Sequence, residues 1–146
     1  MIARVQNRLR EDKDQGFTLI ELLVVMIIIG ILAAIAIPLF LTQREKAQDS
    51  AAKADVSTLG KELATYYVDN TGAVPTINVT GGMYYLENGA SDKTIGNVSD
   101  NVTLIAPVGN ASKWCVGTKN PEGDVAVTGY QYSSSGGLAE GDCTTY

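Results

Sequence analysis

Glu21 is the only charged side chain in an otherwise apolar stretch that runs from Gln15 to Gln43. An ionised carboxylate at the edge of such a stretch is costly unless a cation or water meets it. Two kinds of chemistry satisfy that need. The carboxylate pairs with an ammonium group in an apolar environment, or it lies at the headgroup level of a membrane, where water reaches it.

The rest of the sequence offers little for catalysis or cofactor binding. It contains no histidine, no suggested nucleophile–base pair and no phosphate-binding loop. Five carboxylates invite a calcium hypothesis, but their spacing fits no EF-hand loop: Asp100, Glu122, Asp124, Glu140 and Asp142. We therefore expect no catalytic residue, no cofactor and no metal site.

The apolar stretch has the length of a membrane span. Leu22 to Leu41 is twenty uncharged residues, and about twenty are needed to cross a bilayer as a helix. Basic residues crowd the segment before it, which places residues 1–15 in the cytoplasm by the positive-inside rule: Arg4, Arg8, Arg10 and Lys13. Pro38 removes a backbone hydrogen bond near the outer end and predicts a kinked helix.

The charge of the remaining chain argues against nucleic-acid binding. Seven basic and thirteen acidic side chains follow Gly16, a net charge of −6. An acidic surface repels the phosphate backbone, so we expect solubility rather than nucleic-acid binding from these charges.

Two interpretations of the N-terminus follow from its composition. In the first it is a secretory signal peptide, with small residues at Ala34 and Ala36 and cleavage after Ala36. In the second only the polar leader is removed, between Gly16 and Phe17, and the apolar helix is retained. The long leader of mixed charge and the long apolar stretch are unusual for a signal peptide.

The residues around Glu21 resemble the class III signal of bacterial type IV pilins and pseudopilins. The resemblance rests on the run Gly16-Phe17-Thr18-Leu19-Ile20-Glu21-Leu22-Leu23-Val24-Val25, and it continues through Ile27, Gly30, Ile31, Leu32, Ala33, Ala36 and Pro38. It covers about a third of the chain. Such a run at the head of an apolar helix is rare by chance, so the resemblance favours the retained helix.

The resemblance implies how this segment is processed and what Glu21 does. A prepilin peptidase would cut between Gly16 and Phe17, and the new N-terminal residue, Phe17, would be N-methylated. Methylation leaves the amine basic. Glu21 would then meet the N-terminal amine of Phe17 in an adjacent subunit, so that the ion pair sets the docking register.

The helix is predicted to continue beyond the membrane span. Apolar residues recur every three or four positions, which indicates one buried helical face: Ala52, Val56, Leu59, Leu63 and Tyr66. We expect one helix from Phe17 to about Asp69, with Gly72 as its C-cap. Gly60 interrupts this pattern with a residue of low helix propensity.

The remainder reads as a small β-rich head. Candidate strands are Val102–Ala106, closed by Pro107, then Lys113–Thr118, Val125–Val127 and Tyr130–Tyr132, with a short one at Met83–Leu86 in an irregular segment. Three or four antiparallel strands would pack on the helix, with Trp114 in the core. Outside the cytoplasm Cys115 and Cys143 would form a disulfide that pins the C-terminal tail; the alternative is two free thiols far apart.

Together these expectations describe an α+β, pilin-like fold. Its parts are a cleaved leader (1–16), a transmembrane and assembly half-helix (17–41), an amphipathic half-helix (42–70) and a β-rich head (71–146). The expected function is a filament subunit, N-in in the cytoplasmic membrane and then extracellular. The implied partners are copies of itself, the peptidase, the assembly platform and its ATPase, membrane lipid and minor pilins. The alternatives are a pseudopilin of type II secretion or DNA uptake, and a secreted or anchored binding domain.

Overall fold

A computed structural model describes residues 16–87 and 92–145 of the chain. The predicted leader, apart from Gly16, lies outside these residues. The chain divides into two compact units, Met1–Phe40 and Leu41–Tyr146. Within the described residues the element order is one long helix followed by seven strands and a short 3₁₀ helix, so the α+β class is confirmed.

Helix α1 spans Leu19–Asp69 and contains Pro38. It begins two residues later than predicted because Thr18 caps it from outside. At its other end the Asn70 side chain donates to the carbonyl of Tyr66 (2.8 Å), so Asn70 rather than Gly72 satisfies the last turn. The bend expected at Pro38 stays a prediction.

Two antiparallel sheets follow the helix, where a single sheet was expected. The first has the order β1-β2-β3 and the second the order β4-β5-β6-β7. The strands are β1 (Thr76–Thr80), β2 (Met83–Glu87), β3 (Lys93–Asn97), β4 (Thr103–Asn110), β5 (Lys113–Lys119), β6 (Tyr130–Ser133) and β7 (Gly137–Glu140), and the 3₁₀ helix is Cys143–Thr145.

Two strand predictions were wrong in their details. Pro107 does not end its strand: β4 continues to Asn110, and the pairing with β5 shifts register between Ile105 and Val108, which accommodates the proline. Residues 125–127 form a turn instead of a strand. The Asp49 carboxylate stabilises the turn, because it accepts hydrogen bonds from the backbone N–H groups of Val125 (3.1 Å) and Ala126 (2.8 Å).

The core lies between the second half of α1 and the inner faces of both sheets. The predicted stripe is confirmed, since Ala52, Val56, Leu59 and Leu63 are fully buried and Tyr66 is partly buried. The sheets contribute mainly Ile77, Tyr84, Leu86, Trp114, Val116 and Tyr130. Trp114 fills the core as predicted and stacks between Tyr67 and Tyr132.

Gly60 has a packing role in α1 that the sequence pattern did not indicate. It is buried, and a Cβ at this position would overlap the ring of Tyr132. The absence of a side chain therefore lets β6 approach the helix closely. The cost of glycine within a helix, about 1 kcal/mol, is offset by this contact.

The predicted disulfide between Cys115 and Cys143 is present, with Cα atoms 5.7 Å apart. It joins buried strand β5 to the 3₁₀ helix and closes a loop with a sequence separation of 28 residues. In the chain-entropy model such a loop contributes about 3–4 kcal/mol to stability.

Candidate functional site

Thr18 and Glu21 form a capping box at the start of α1. The backbone N–H and the hydroxyl of Thr18 donate to Glu21 Oε2 at 2.8 and 2.6 Å. In return the backbone N–H of Glu21 donates to Thr18 Oγ1 at 3.3 Å. This reciprocal pattern satisfies donors that the first helical turn leaves free. Within one chain the carboxylate therefore has hydrogen-bond donors even without a cation.

The capping box also fixes where the Glu21 carboxylate points. Both donors from Thr18 reach the same oxygen, Oε2. Gly16, Phe17, Thr18 and Glu21 line one shallow depression, and all four are exposed. The peptide bond between Gly16 and Phe17 thus lies beside the only carboxylate of the apolar stretch.

The apolar half of α1 exposes its side chains on every face. From Phe17 to Leu41 no large apolar side chain in the structure is buried, and exposure runs from 46% at Val24 to 86% at Phe17. This helix is long and apolar enough to cross a membrane by length and composition. Apolar surface on this scale marks an interface with lipid or protein.

The carboxylates considered for calcium have other partners or lie apart. Glu122 pairs with Arg44, and Asp142 pairs with Lys119 at 3.4 Å. Hydrogen bonds from Thr144, with a smaller contribution from Lys119, hold the pKa of Asp142 below its usual value. Within residues 16–87 and 92–145 no group of three His, Cys, Asp or Glu side chains is arranged to hold a metal.

Sequence reasoning missed three groups that organise the molecule. Thr18 was identified only as part of a motif, although the Thr-x-x-Glu spacing is itself the signature of a capping box. Neither Asp49 nor Asp55 was singled out from the sequence, yet both are buried. Asp55 accepts hydrogen bonds from the Tyr84 hydroxyl (2.9 Å) and from both the N–H and hydroxyl of Ser99. No local sequence signal distinguishes Asp49 and Asp55 from exposed aspartates.

Comparisons with known proteins agree with this arrangement. The family described as "Prokaryotic N-terminal methylation motif" matches residues 12–37. The type IV wide pilus major component PilA4 of Thermus thermophilus is 35% identical over 104 residues, which cover 70% of each chain. Type II secretion system core protein G is 42% identical over 59 residues in Escherichia coli and 37% over 62 in Pseudomonas aeruginosa.

The protein G matches cover 40–42% of this chain and 41–44% of the relatives, so the chain spans about two fifths of their length. The match to PilA4 extends well beyond the N-terminal helix. An exposed apolar helix that starts at a methylation motif, continues amphipathically and packs on antiparallel sheets defines a pilin-like protein. The chain belongs to the type IV pilin and pseudopilin family.

Proposed function

We propose that this chain is the structural, non-catalytic subunit of an extracellular type IV pilus-like filament, polymerised through its N-terminal helix. The exposed apolar surface of residues 17–41 is the observation that carries the proposal. That surface needs lipid before assembly and copies of itself afterwards, because apolar side chains are stabilised by removal from water. Bundling the helices keeps the same surface dry when the subunit leaves the bilayer.

The division of the chain follows from this role. Residues 1–16 are a leader that stays in the cytoplasm and is removed. Residues 17–41 anchor the precursor in the membrane and later form the filament centre. Residues 42–70 are the amphipathic half-helix that packs against the head, residues 71–146. The peptidase cuts between Gly16 and Phe17, and the Phe17 amine is methylated. A bend at Pro38 would separate the two helical halves. An assembly platform with its ATPase would extract the subunit, and minor pilins would join the same filament.

Glu21 docks the incoming subunit in this proposal. Its carboxylate, oriented by Thr18 in the single chain, accepts a hydrogen bond from the Phe17 ammonium group of a neighbour, in place of those from Thr18 or beside them. A buried charge is penalised by several kcal/mol when alone, whereas an ion pair largely offsets that cost. The pair therefore selects one register of the two helices rather than adding much stability.

Substitution at the cleavage site tests the processing step. Gly16→Trp should leave the chain in the membrane at its precursor mass, because a bulky residue blocks access to the peptide bond. Gly16→Ala, the smallest change, is the matched control and should retain more processing. A normal processed mass for Gly16→Trp would contradict the proposed cleavage.

A second candidate is a pseudopilin of a type II secretion or DNA-uptake system. The similarity to core protein G favours it, although that similarity is confined to about two fifths of each chain. Shearing intact cells separates the two. A major pilin would dominate the sheared filaments, whereas a pseudopilin would be scarce there and remain with the envelope. A secreted or anchored binding domain would give no filament containing this chain.

A further inference from the structure

A shallow depression lies where the uncharged stretch of α1 ends. It is lined by Leu41, Arg44, Glu45 and Glu122. Leu41 is the last residue of the predicted membrane span, and Arg44 follows it in the same helix. The depression encloses about 140 Å³, which is room for several water molecules and so for a small polar group. We call it the interfacial site.

The interfacial site lies at the depth of the lipid headgroups when the span is in a bilayer. The twenty residues Leu22 to Leu41 match the length of helix that crosses the hydrocarbon core. Arg44 is further along by about 4.5 Å, at a rise of about 1.5 Å per residue. The headgroup layer adds roughly 5–7 Å beyond the core on each side. Arg44 and its partner Glu122 therefore fall within that layer.

Buried contacts hold Glu122 beside this part of α1. Asn120 is fully buried, and its side-chain amide donates to Gln48 Oε1 at 2.7 Å. The side-chain oxygen of Asn120 accepts a hydrogen bond from the backbone N–H of Glu122 at 3.0 Å. The turn that follows, residues 125–127, is bonded to Asp49 of the same helix. The fold itself therefore presents the Glu122 carboxylate at the interfacial site.

The interfacial site combines one cation with two carboxylates. Arg44 Nη2 donates to Glu122 Oε2, and the guanidinium has further N–H donors. The side chains of Arg44 and Glu122 are 56% and 40% exposed, so both are accessible. Within residues 16–87 and 92–145 Glu45 has no ion pair. A guanidinium with unused donors suits a phosphate, and the carboxylates suit an ammonium group.

The surroundings of the interfacial site are acidic. Three further carboxylates belong to the residues around the loop that carries Glu122: Asp49, Asp100 and Asp124. Lys46 is close in sequence, but it lies about 200° around the helix from Arg44, at 3.6 residues per turn. A ligand that brings an ammonium group is therefore favoured here, and one that is only anionic is disfavoured.

We propose that the interfacial site binds the headgroup of a zwitterionic phospholipid with an ammonium group, such as phosphatidylethanolamine. This inference rests on the proposed function, in which the precursor spans the membrane before assembly, and it names a lipid class for that stage. Arg44 would bind the phosphate, Glu45 and Glu122 the ammonium group, and Leu41 would contact the start of an acyl chain. Phosphatidylglycerol, which has no ammonium group, would lack half of these contacts.

The site would bind lipid only before assembly. A phospholipid headgroup reaches Arg44 while the span lies in the bilayer, and no longer once the subunit has left it. The contact would therefore hold residues 120–128 against the membrane surface in the precursor, and it would be released when the subunit is extracted.

Lipid binding to the full chain in detergent tests the site. Native mass spectrometry with phosphatidylethanolamine or phosphatidylglycerol of the same acyl chains gives the two dissociation constants. The unmodified chain should bind phosphatidylethanolamine about fivefold more tightly or better, because only this headgroup offers an ammonium group to the carboxylates. Equal affinities, or tighter binding of phosphatidylglycerol, would overturn the inference.

Two variants and a control assign the binding to the interfacial site. Arg44→Gln should weaken binding of phosphatidylethanolamine about tenfold, since a charge-assisted contact to the phosphate is lost. Lys46→Gln removes the same charge from an exposed position of the same helix and should bind as the unmodified chain does. Glu45→Gln should also weaken binding of phosphatidylethanolamine but not of phosphatidylglycerol. Because it leaves the Arg44–Glu122 pair intact, unchanged affinity in this variant refutes the site even where Arg44→Gln disturbs the fold.

Soluble phosphoethanolamine separates a lipid from a free phosphate ester. It should displace phosphatidylethanolamine only at millimolar concentration, because it lacks the acyl chains that contact Leu41. Displacement at micromolar concentration would identify a soluble ligand and contradict the lipid. These measurements require no filament, so their failure refutes this inference alone, whereas the absence of filaments from the unmodified chain refutes the proposed function.

Discussion

At the scale of single residues, two carboxylates of α1 have opposite surroundings. Glu21 is exposed, and among the described residues its carboxylate accepts hydrogen bonds from Thr18 alone, three positions earlier. Asp55 is 6% exposed and accepts three hydrogen bonds from other elements. The Glu21 carboxylate is therefore accessible from outside the chain, whereas the Asp55 carboxylate is enclosed within the head. Residue type alone does not separate them; position relative to the apolar segment and the core does.

Glu21→Ala should abolish or strongly reduce filament formation while leaving membrane insertion and leader cleavage largely intact. The change removes the acceptor for a neighbouring amine, yet insertion depends on the apolar residues that follow. Thr18→Ala, which removes the hydroxyl of the capping box but keeps the carboxylate, should have the smaller effect. The measurement is filament yield relative to processed subunit in the membrane. Normal filaments from Glu21→Ala would remove the docking role.

Asp55→Ala should destabilise the head by about 2–4 kcal/mol, because the Tyr84 hydroxyl and the Ser99 N–H and hydroxyl lose their acceptor in a buried setting. Asp69→Ala, at an exposed position on the same helix, is the matched control and should stay within about 0.5 kcal/mol. Thermal or denaturant unfolding of the detergent-solubilised chain measures both. Equal stabilities for the two variants would refute the role assigned to Asp55.

Alkaline pH should destabilise the head through its buried tyrosines. Burial, followed by the hydrogen bond to Asp55, raises the pKa of Tyr84, and burial also raises the pKa of Tyr67 and Tyr130. A raised folded-state pKa contributes stability that is complete below the unfolded value of about 10 and is lost as pH rises above it. Tyrosinate absorbance of these residues should therefore appear together with loss of native circular dichroism. Full ionisation of every tyrosine near pH 10, with the fold intact, would contradict this.

At the scale of elements, the long periodic pattern of α1 was predictable, whereas the short strands were predicted only in part: β2, β5 and β6 were identified, and β1, β3 and β7 were not. The stripe from Ala52 to Leu63 was identified because several turns repeat one spacing, and the helix end near Asp69 followed from the turn residues after it. Strand β1 was missed although Ile77 and Val79 alternate with polar residues, because a pattern of five residues is a weak signal; only Ile77 is buried. Residues 125–127 have strand-like composition, but Asp49, 76 residues earlier, holds them in a turn. Such a long-range contact leaves no local signal.

In the candidate site, too, residues of a contiguous motif were predicted and long-range contacts were not. Phe17, Glu21 and the cleavage site were identified from a contiguous motif, which a sequence displays in full. The buried contacts of Asp49, Asp55 and Asn120 join segments far apart in the chain, so they appear only after folding. The helix glycine, Gly60, is a further case, since its partner, Tyr132, is 72 positions later.

Gly60→Val should loosen the contact between α1 and the four-stranded sheet. Its side chain would overlap the ring of Tyr132, and overpacking of this kind costs about 1–3 kcal/mol. Gly30→Val is the control, because a Cβ at Gly30 meets nothing in the single chain. Unfolding of the two variants in detergent should differ by at least about 1 kcal/mol. Equal stability would show that Tyr132 does not need the space that Gly60 leaves.

At the scale of the whole molecule, the two units differ in whether their apolar side chains are buried within the chain. The head, Leu41–Tyr146, buries its core with the second half of α1 and is stapled by a disulfide. In the unit before it, the described residues from Phe17 to Phe40 expose their large apolar side chains. Apolar surface of this extent is removed from water in lipid or in a polymer, which agrees with the family to which the chain belongs.

Intact-mass analysis of purified surface filaments tests the account most directly. We expect filaments composed of this chain, with a mass that corresponds to a start at Phe17, one added methyl group and the Cys115–Cys143 disulfide. That result would report retention of the apolar helix, processing and polymerisation together. Recovery of the mature protein as a diffusing monomer that begins at Ile37, without the apolar helix, would contradict the account.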